Sequence, residues 1–390
     1  MQRVGSPRLQ DLRRTGKLQL PLQPIKIELR QLPGTAPTLR TRSEQALCMT
    51  DEVLASESTS CRRPPRNLRV EDVHLFSHEA VKAIPATRLL NRRNVGVSPD
   101  GILFRHGHVL PESFAYPSQE HQWRTWRTRL RLLADGTFRA RLNTIPEQVF
   151  WITDSQSFEY FHWMTDALPR LFAVRDRIQD GRILLPHAYR SFAYVSATLE
   201  SFPQARVGFV ERLTRCRCLR IPTHTAPTGN YNEAIIRGLR DHLQSHLASV
   251  SAAGRGERVY VSRTHGSRRK IVNEQDMVAA IEPLGFKLVH FEDHSFQQQV
   301  AIAMHVRYLV SNYGAGLTNM FFMRPGSRVL ELRRDADTHF NCYYSMASAL
   351  GLDYFYQNCP TRMPGEETHT ADLVVDVAAL RENLKLMLES

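Results

Sequence analysis

The spacing of apolar and polar positions changes character along the chain. Through residue 68 no period survives, because Pro7, Pro21, Pro24, Pro33 and Pro37 interrupt any repeat before Arg62-Arg63-Pro64-Pro65-Arg66 closes the stretch. From Val70 onward the pattern is globular. Short apolar runs at Val95–Val97, Gly101–Phe104, Gln148–Ile152, Val207–Val210 and Leu219–Ile221 predict strands, and helical spacing predicts helices over 158–177, 193–199 and 231–249. Ser251-Ala-Ala-Gly254-Arg-Gly256 reads as a linker. Beyond it, strands at Val259–Ser262, Phe286–Phe291, Tyr308–Val310 and Arg328–Leu332 alternate with helices capped by Asn273 and Ser295. This alternation predicts parallel strands with right-handed crossovers, a doubly wound nucleotide-type domain from 257 to about 345. Asp372–Leu388 predicts a last amphipathic helix. The expected organisation is a flexible arm over 1–68, an α/β domain over 69–250, a nucleotide-binding domain over 257–371 and a helix over 372–390.

Charge sharpens the first boundary. Of 390 residues, 51 are Lys or Arg and 39 Asp or Glu, a formal charge of +12. Residues 1–42 hold nine of the basic residues against Asp11 and Glu28, a net +7, so most of the excess sits in the arm. Two readings stand for it: attachment to anionic lipid or nucleic acid, or a solvated leader. A hydrophobic content of 42% with 23% charged residues excludes wholesale disorder, and no run approaches 18 apolar residues. The first 20 residues lack an apolar h-region, so no secretory signal is expected. Six cysteines without a CxxC or a zinc spacing fit reduced thiols and a cytoplasmic setting.

Three elements carry chemistry. In Val310-Ser-Asn-Tyr313-Gly314-Ala315-Gly316-Leu317-Thr318-Asn319 a strand ends, two glycines turn the backbone and a helix starts, a geometry suited to a diphosphate. The third glycine and the ribose acid of a dinucleotide fingerprint are missing, which counts against a Rossmann-type oxidoreductase. Second, His162 and Asp166 are four apart on one helix face, and either group can act as a base; a buried hydrogen bond to the core is the plainer reading. Pro169 implies a kink just after them. Third, Ser262-Arg263 ends the first strand of the nucleotide domain, where Arg263 can reach a diphosphate, while Arg268 and Arg269 read as a solvated loop. Glu331 can bond a ribose or pair with a neighbouring arginine. Asp335-x-Asp337 spells a metal-binding acid pair but reads as an acidic turn.

Together, Tyr160-Phe-His162-Trp163…Asp166-x-Leu168-Pro169-Arg170-Leu171, Val261-Ser262-Arg263…Arg269…Asn273-Glu274 and Gly314-Ala-Gly-Leu-Thr-Asn319…Pro325-Gly326…Val329-Leu-Glu331-Leu resemble glycosyltransferase family 61 over residues 150–345. The family includes bacterial capsule and lipopolysaccharide enzymes and eukaryotic xylosyl- and N-acetylglucosaminyltransferases. The resemblance implies a GT-B-like fold, two Rossmann-like domains facing a cleft, with inversion at the anomeric carbon and no required metal or other cofactor. It implies a nucleotide-sugar donor, UDP first, and a glycan or lipid-linked saccharide acceptor. Arg263, Lys270 and the 316–319 amides would neutralise the leaving diphosphate, and His162 or Asp166 would be the base. Many members carry a histidine where this chain has Asn312-Tyr313, so Tyr313 is expected to stack on base or sugar instead. The implied setting is a bacterial cytoplasm, with peripheral contact at the inner membrane. A nucleic-acid-binding protein acting through its arm is the alternative from another class, but no helix-turn-helix, zinc finger or RNP motif supports it, and no nucleic-acid partner is expected.

Overall fold

The computed structural model describes residues 50–390, apart from 117, 120–142, 180, 248–255, 364 and 367–369. The arm up to residue 49 and most of the 251–256 linker lie outside the described residues. One compact unit runs from Cys48 to Ser390. Its first sheet contains β1 (Glu52–Ala55), β4 (Thr87–Val97), β5 (Leu103–Arg105), β6 (His108–Val109), β7 (Asn143–Trp151), β8 (Arg182–Pro186), β9 (Arg206–Val210) and β10 (Thr214–Pro222). A separate hairpin pairs β2 (Ser58–Cys61) with β3 (Val81–Ile84). In the first sheet the order is β6-β5-β4-β10-β7-β8-β9. Strands β10, β7, β8 and β9 are parallel and the rest antiparallel, so this half is a mixed sheet.

The second sheet is all parallel: β11 (Arg258–Val261), β12 (Lys287–Val289), β13 (Tyr308–Asn312), β14 (Arg328–Arg334) and β15 (Asp353–Cys359), in the order β12-β11-β13-β14-β15. Alternate residues fill opposite faces, as a sheet covered on both sides requires. Val259, Val261, Leu309 and Val329 join one buried cluster; Tyr260, Val310, Leu330 and Phe355 join another. The second cluster is closed by α7 (Val377–Glu389), whose Leu380, Leu384 and Met387 are fully buried. The C-terminal helix is therefore a layer on one face of the second sheet, whose buried cluster its apolar stripe completes.

Two boundaries need correction. Residues 52–68, assigned to the arm, are folded. β1 pairs with β4, and the chain from Arg66 to Arg69 lines the edge of β15, with Arg66 N–H on the Tyr354 carbonyl at 2.8 Å and the Asn67 amide group bonding both backbone polar groups of Tyr356. The prolines that erase periodicity here suit an extended edge cover. The two sheets also share one continuous core. Between them, α3 (Glu233–Leu247) buries Ile235, Ile236, Leu239, Leu243 and Leu247, while its Arg237 and Arg240 donate to the Ala349 and Leu350 carbonyls at the end of α6 (Cys342–Leu350). Among the described residues Cys61, Cys216, Cys342 and Cys359 are free thiols. No helix among the described residues is long and apolar enough to cross a membrane.

Candidate active site

Both sheets have a switch point, where the chain returns to the other side of a strand it has already used, and ligands of α/β sheets lie outside the strand ends at such places. In the first sheet the switch lies between β7 and β10. Phe150 faces Arg220 across these strands, and four residues further along each chain stand Asp154 and His224. His224 Nε2 lies 2.8 Å from Asp154 Oδ2. The same carboxylate pairs with the buried Arg170 guanidinium and accepts amides of Gln156 and Ser157 at 2.9 and 3.1 Å. Burial opposes ionisation of Asp154, but Arg170 and His224 outweigh it and hold its carboxyl below the usual range.

His162 and Asp166 meet as their spacing predicts, with His162 Nδ1 at 2.7 Å from Asp166 Oδ2. The local backbone differs from expectation. A π-helical turn, Trp163–Ala167, follows the first helical turn at Tyr160–His162, and α1 (Leu168–Ile178) starts only after it. The wide turn leaves Pro169 in the first turn of α1, where a missing N–H costs nothing. Arg170 Nε donates to the Asp166 carbonyl at 3.1 Å, and Thr228 Oγ1 lies 3.4 Å from Asp166 Oδ2. One guanidinium thus ties both His–Asp pairs together. Burial would lower the His162 pKa, but the Asp166 hydrogen bond and charge, helped by Asp154 and Glu159, raise it above the usual imidazole value. Tyr116 stands close by, its hydroxyl pushed up to about 12 by burial and then by charges that include Asp166 and Asp154.

The second sheet switches between β11 and β13. Val261 faces Ser311, and two residues on are Arg263 and Tyr313. The Arg263 guanidinium lies over Gly314: a Cβ there would sit 2.3 Å from its Nη1. Arg263 makes no ion pair or side-chain hydrogen bond among the described residues, and its Nε is buried without a partner. Burial and then the charges of Arg269 and Arg268 lower its pKa against the opposing pull of Tyr343 and Glu292, so on balance the site favours an added anion. After Gly314 comes a 3₁₀ helix, Ala315–Phe322, tighter than the expected α-helix start. Leu317 N–H closes its first turn on the Gly314 carbonyl at 3.0 Å, leaving the Ala315 and Gly316 amides at its open end, with Ala315 exposed.

The other expected donor residues divide. Leu317, Thr318 and Asn319 are buried; Asn319 accepts from the Tyr160 hydroxyl at 2.7 Å and its amide lies 3.3 Å from Gln299 Oε1, so it joins the two halves. Tyr313 carries the Arg269 guanidinium 5.3 Å above its ring, which corrects the reading of Arg269 as solvated loop. Lys270 is held through its backbone, which donates to Asp372 and accepts from Leu373, and no contact brings its ammonium to Arg263 among the described residues. Glu331 is fully buried, accepts from the Tyr354 hydroxyl at 2.6 Å and sits near Arg333. The ribose contact is corrected on burial: β14 lies inside the sheet with both faces covered. Asp337 spends its carboxylate on the amides of His339 and Phe340. The residues that sequence reasoning missed are Asp154, His224 and Thr228, together with a role for Arg170. Their signal was position just past adjacent strand ends.

Residues 160–330 match the family model Glycosyltransferase 61. This chain is also similar to the EGF domain-specific O-linked N-acetylglucosamine transferase of Drosophila melanogaster, 31% identical over 98 residues, which are 24% of this chain and 18% of that protein. The chain thus spans under a fifth of the length of the curated relative it matches. The stretch matched by the family model contains both switch-point motifs, the His162 turn and the Arg263–Gly314 crevice.

Proposed function

We propose that this chain acts as a glycosyltransferase of family 61, moving a sugar, with inversion, from a nucleotide-diphosphate donor to a hydroxyl of a glycan or lipid-linked saccharide, and that UDP is the carrier. The observation that carries the reading is the Arg263 guanidinium, without an ion pair among the described residues, over Gly314 at the start of the Ala315–Phe322 helix. A half-buried cation with fixed N–H donors stabilises charge that develops on a leaving diphosphate. Opposite it, His162 is the base. Asp166 accepts its Nδ1–H and fixes the tautomer, so Nε2 is the nitrogen left to take the acceptor proton. Asp166 is almost fully buried and committed to His162 and Thr228, which suits a supporting carboxylate better than a base. A GT-B-like closure of the two halves and transfer without a required metal belong to the same proposal. The curated relative acts, by its name, on EGF domains, so a protein hydroxyl is a further acceptor class.

Thermal unfolding with UDP, GDP, CMP and NAD tests the reading. A ligand at a hundred times its Kd stabilises by about 2.7 kcal/mol. UDP is expected to raise Tm by several degrees; stabilisation by NAD alone overturns the proposal.

A further inference from the structure

The proposed reaction employs one histidine, but the first switch point holds two. His224 lies just past β10, with its Nε2 on Asp154 and 21% of its side chain exposed. Its Nδ1 has no hydrogen-bond partner among the described residues and is not sealed from solvent. Asp154, by contrast, is buried and accepts from Arg170, Gln156 and Ser157 as well. A carboxylate so anchored fixes the ring: with Nε2–H donated inward, Nδ1 presents a lone pair outward in a set direction. The loop after β10 also sends Thr228 to Asp166, and Arg170 bonds both pairs, so His224 is held in register with His162.

We propose that His224 is an acceptor-binding residue whose Nδ1 accepts a hydrogen bond from a pyranoside hydroxyl next to the one that His162 deprotonates. Two His–Asp pairs bridged by one guanidinium then read two hydroxyls of one sugar. A site built to bond a hydroxyl rejects a sugar lacking it, because its nitrogen would be left unpaired. This assignment rests on the glycosyl-transfer reading.

Saturation-transfer NMR on the UDP-loaded protein, with methyl pyranosides of glucose, galactose, xylose and N-acetylglucosamine as probes, tests it. His224→Ala is expected to weaken binding of the preferred glycoside about five- to tenfold, the worth of one hydrogen bond, with UDP affinity unchanged. His224→Asn, whose Oδ1 takes the place of Nδ1 and can accept the same bond, is expected to retain most of the binding. In the wild type the glycoside is expected to move the ¹⁵N resonance of His224 Nδ1, which a purely structural histidine would not show. Equal glycoside binding by wild type and His224→Ala, or binding by neither, overturns the assignment. Failure of UDP itself to bind the wild type removes the transfer reading; UDP binding with an unaltered glycoside response removes the His224 role alone.

Discussion

The two switch points share a topology and differ in how their charges are settled. At β7/β10 the buried ions have internal partners: Arg170 meets Asp154, Asp154 meets His224, and Asp166 meets His162. At β11/β13 the Arg263 cation lies over a glycine turn with no ion pair among the described residues, and the like charges of Arg269 and Arg268 outweigh the pull of Glu292. A neutralised network holds protons at chosen atoms; an uncompensated cation accepts an anion. Under the proposed transfer, the contrast separates proton handling from charge neutralisation, the two jobs that displacement of a diphosphate requires. It predicts that damage to one crevice leaves the task of the other intact.

The largest expected effect lies in the first crevice. Asp166→Asn is expected to lower the rate of sugar transfer about a hundred- to ten-thousandfold, read in single-turnover assays, while UDP affinity stays within about twofold. The raised His162 pKa gives this a pH signature. A base must be unprotonated, so the acid limb of kcat/KM lies above the usual imidazole value in the wild type. Loss of the carboxylate charge moves that limb downward. An unmoved limb would separate His162 from the chemistry. In the second crevice, Arg263→Ala is expected to weaken UDP about ten- to a hundredfold and abolish its thermal shift, as loss of a charge-assisted pair implies. Gly314→Ala has the same direction at about tenfold, since its Cβ would displace the end of that guanidinium rather than backbone. Titration calorimetry distinguishes these outcomes, and equal losses of UDP binding from Asp166→Asn would collapse the separation.

The parts of this arrangement legible in sequence are those whose partners are close along the chain. His162 and Asp166 meet because helical spacing places them so, and the Gly314 turn follows directly from its strand. The second sheet was readable because βα alternation leaves few topologies. Asp154 and His224 are 70 residues apart and become neighbours only through the β7–β10 register, which no local pattern encodes. The π-helical turn before Pro169 escaped for a different reason: a proline demands that the backbone adapt but does not specify how. Residues 52–68 escaped because an edge-covering segment bonds through its backbone and needs no apolar period. Glu331 stayed open between a ribose and a neighbouring arginine because the strand pattern does not tell what covers each face; the side chain is fully buried near Arg333.

Glu331 also offers a stability test away from both crevices. Burial is the leading cause that pushes its carboxyl up to about 7, against the pull of Arg333 and Tyr354. A pKa raised on folding means that this group's contribution is complete below the unfolded value and is lost as pH rises through about 7. Glu331→Gln, which keeps an acceptor for Tyr354, is therefore expected to be near neutral at pH 5 and stabilising by about 1–3 kcal/mol at pH 8, by chemical denaturation. A stabilisation equal at both pH values would mean that the buried carboxyl does not titrate in this window.

The smallest effect concerns the seam between the crevices. Tyr160 immediately precedes the His162 turn in space and sequence, and its hydroxyl donates to Asn319 in the 3₁₀ helix that begins at the donor crevice. Tyr160→Phe removes one buried hydrogen bond, leaving Asn319 Oδ1 without its donor, at a cost of about 1 kcal/mol and a Tm lower by about 1–2 °C. Because Asn319 is buried and its amide already meets Gln299, its carbonyl serves the seam and not a ligand. UDP affinity of Tyr160→Phe should then match the wild type within about twofold, while transfer falls modestly as the two crevices lose registration. A loss of UDP affinity as large as that of Arg263→Ala would instead move Asn319 into the donor site and make the seam part of the anion crevice.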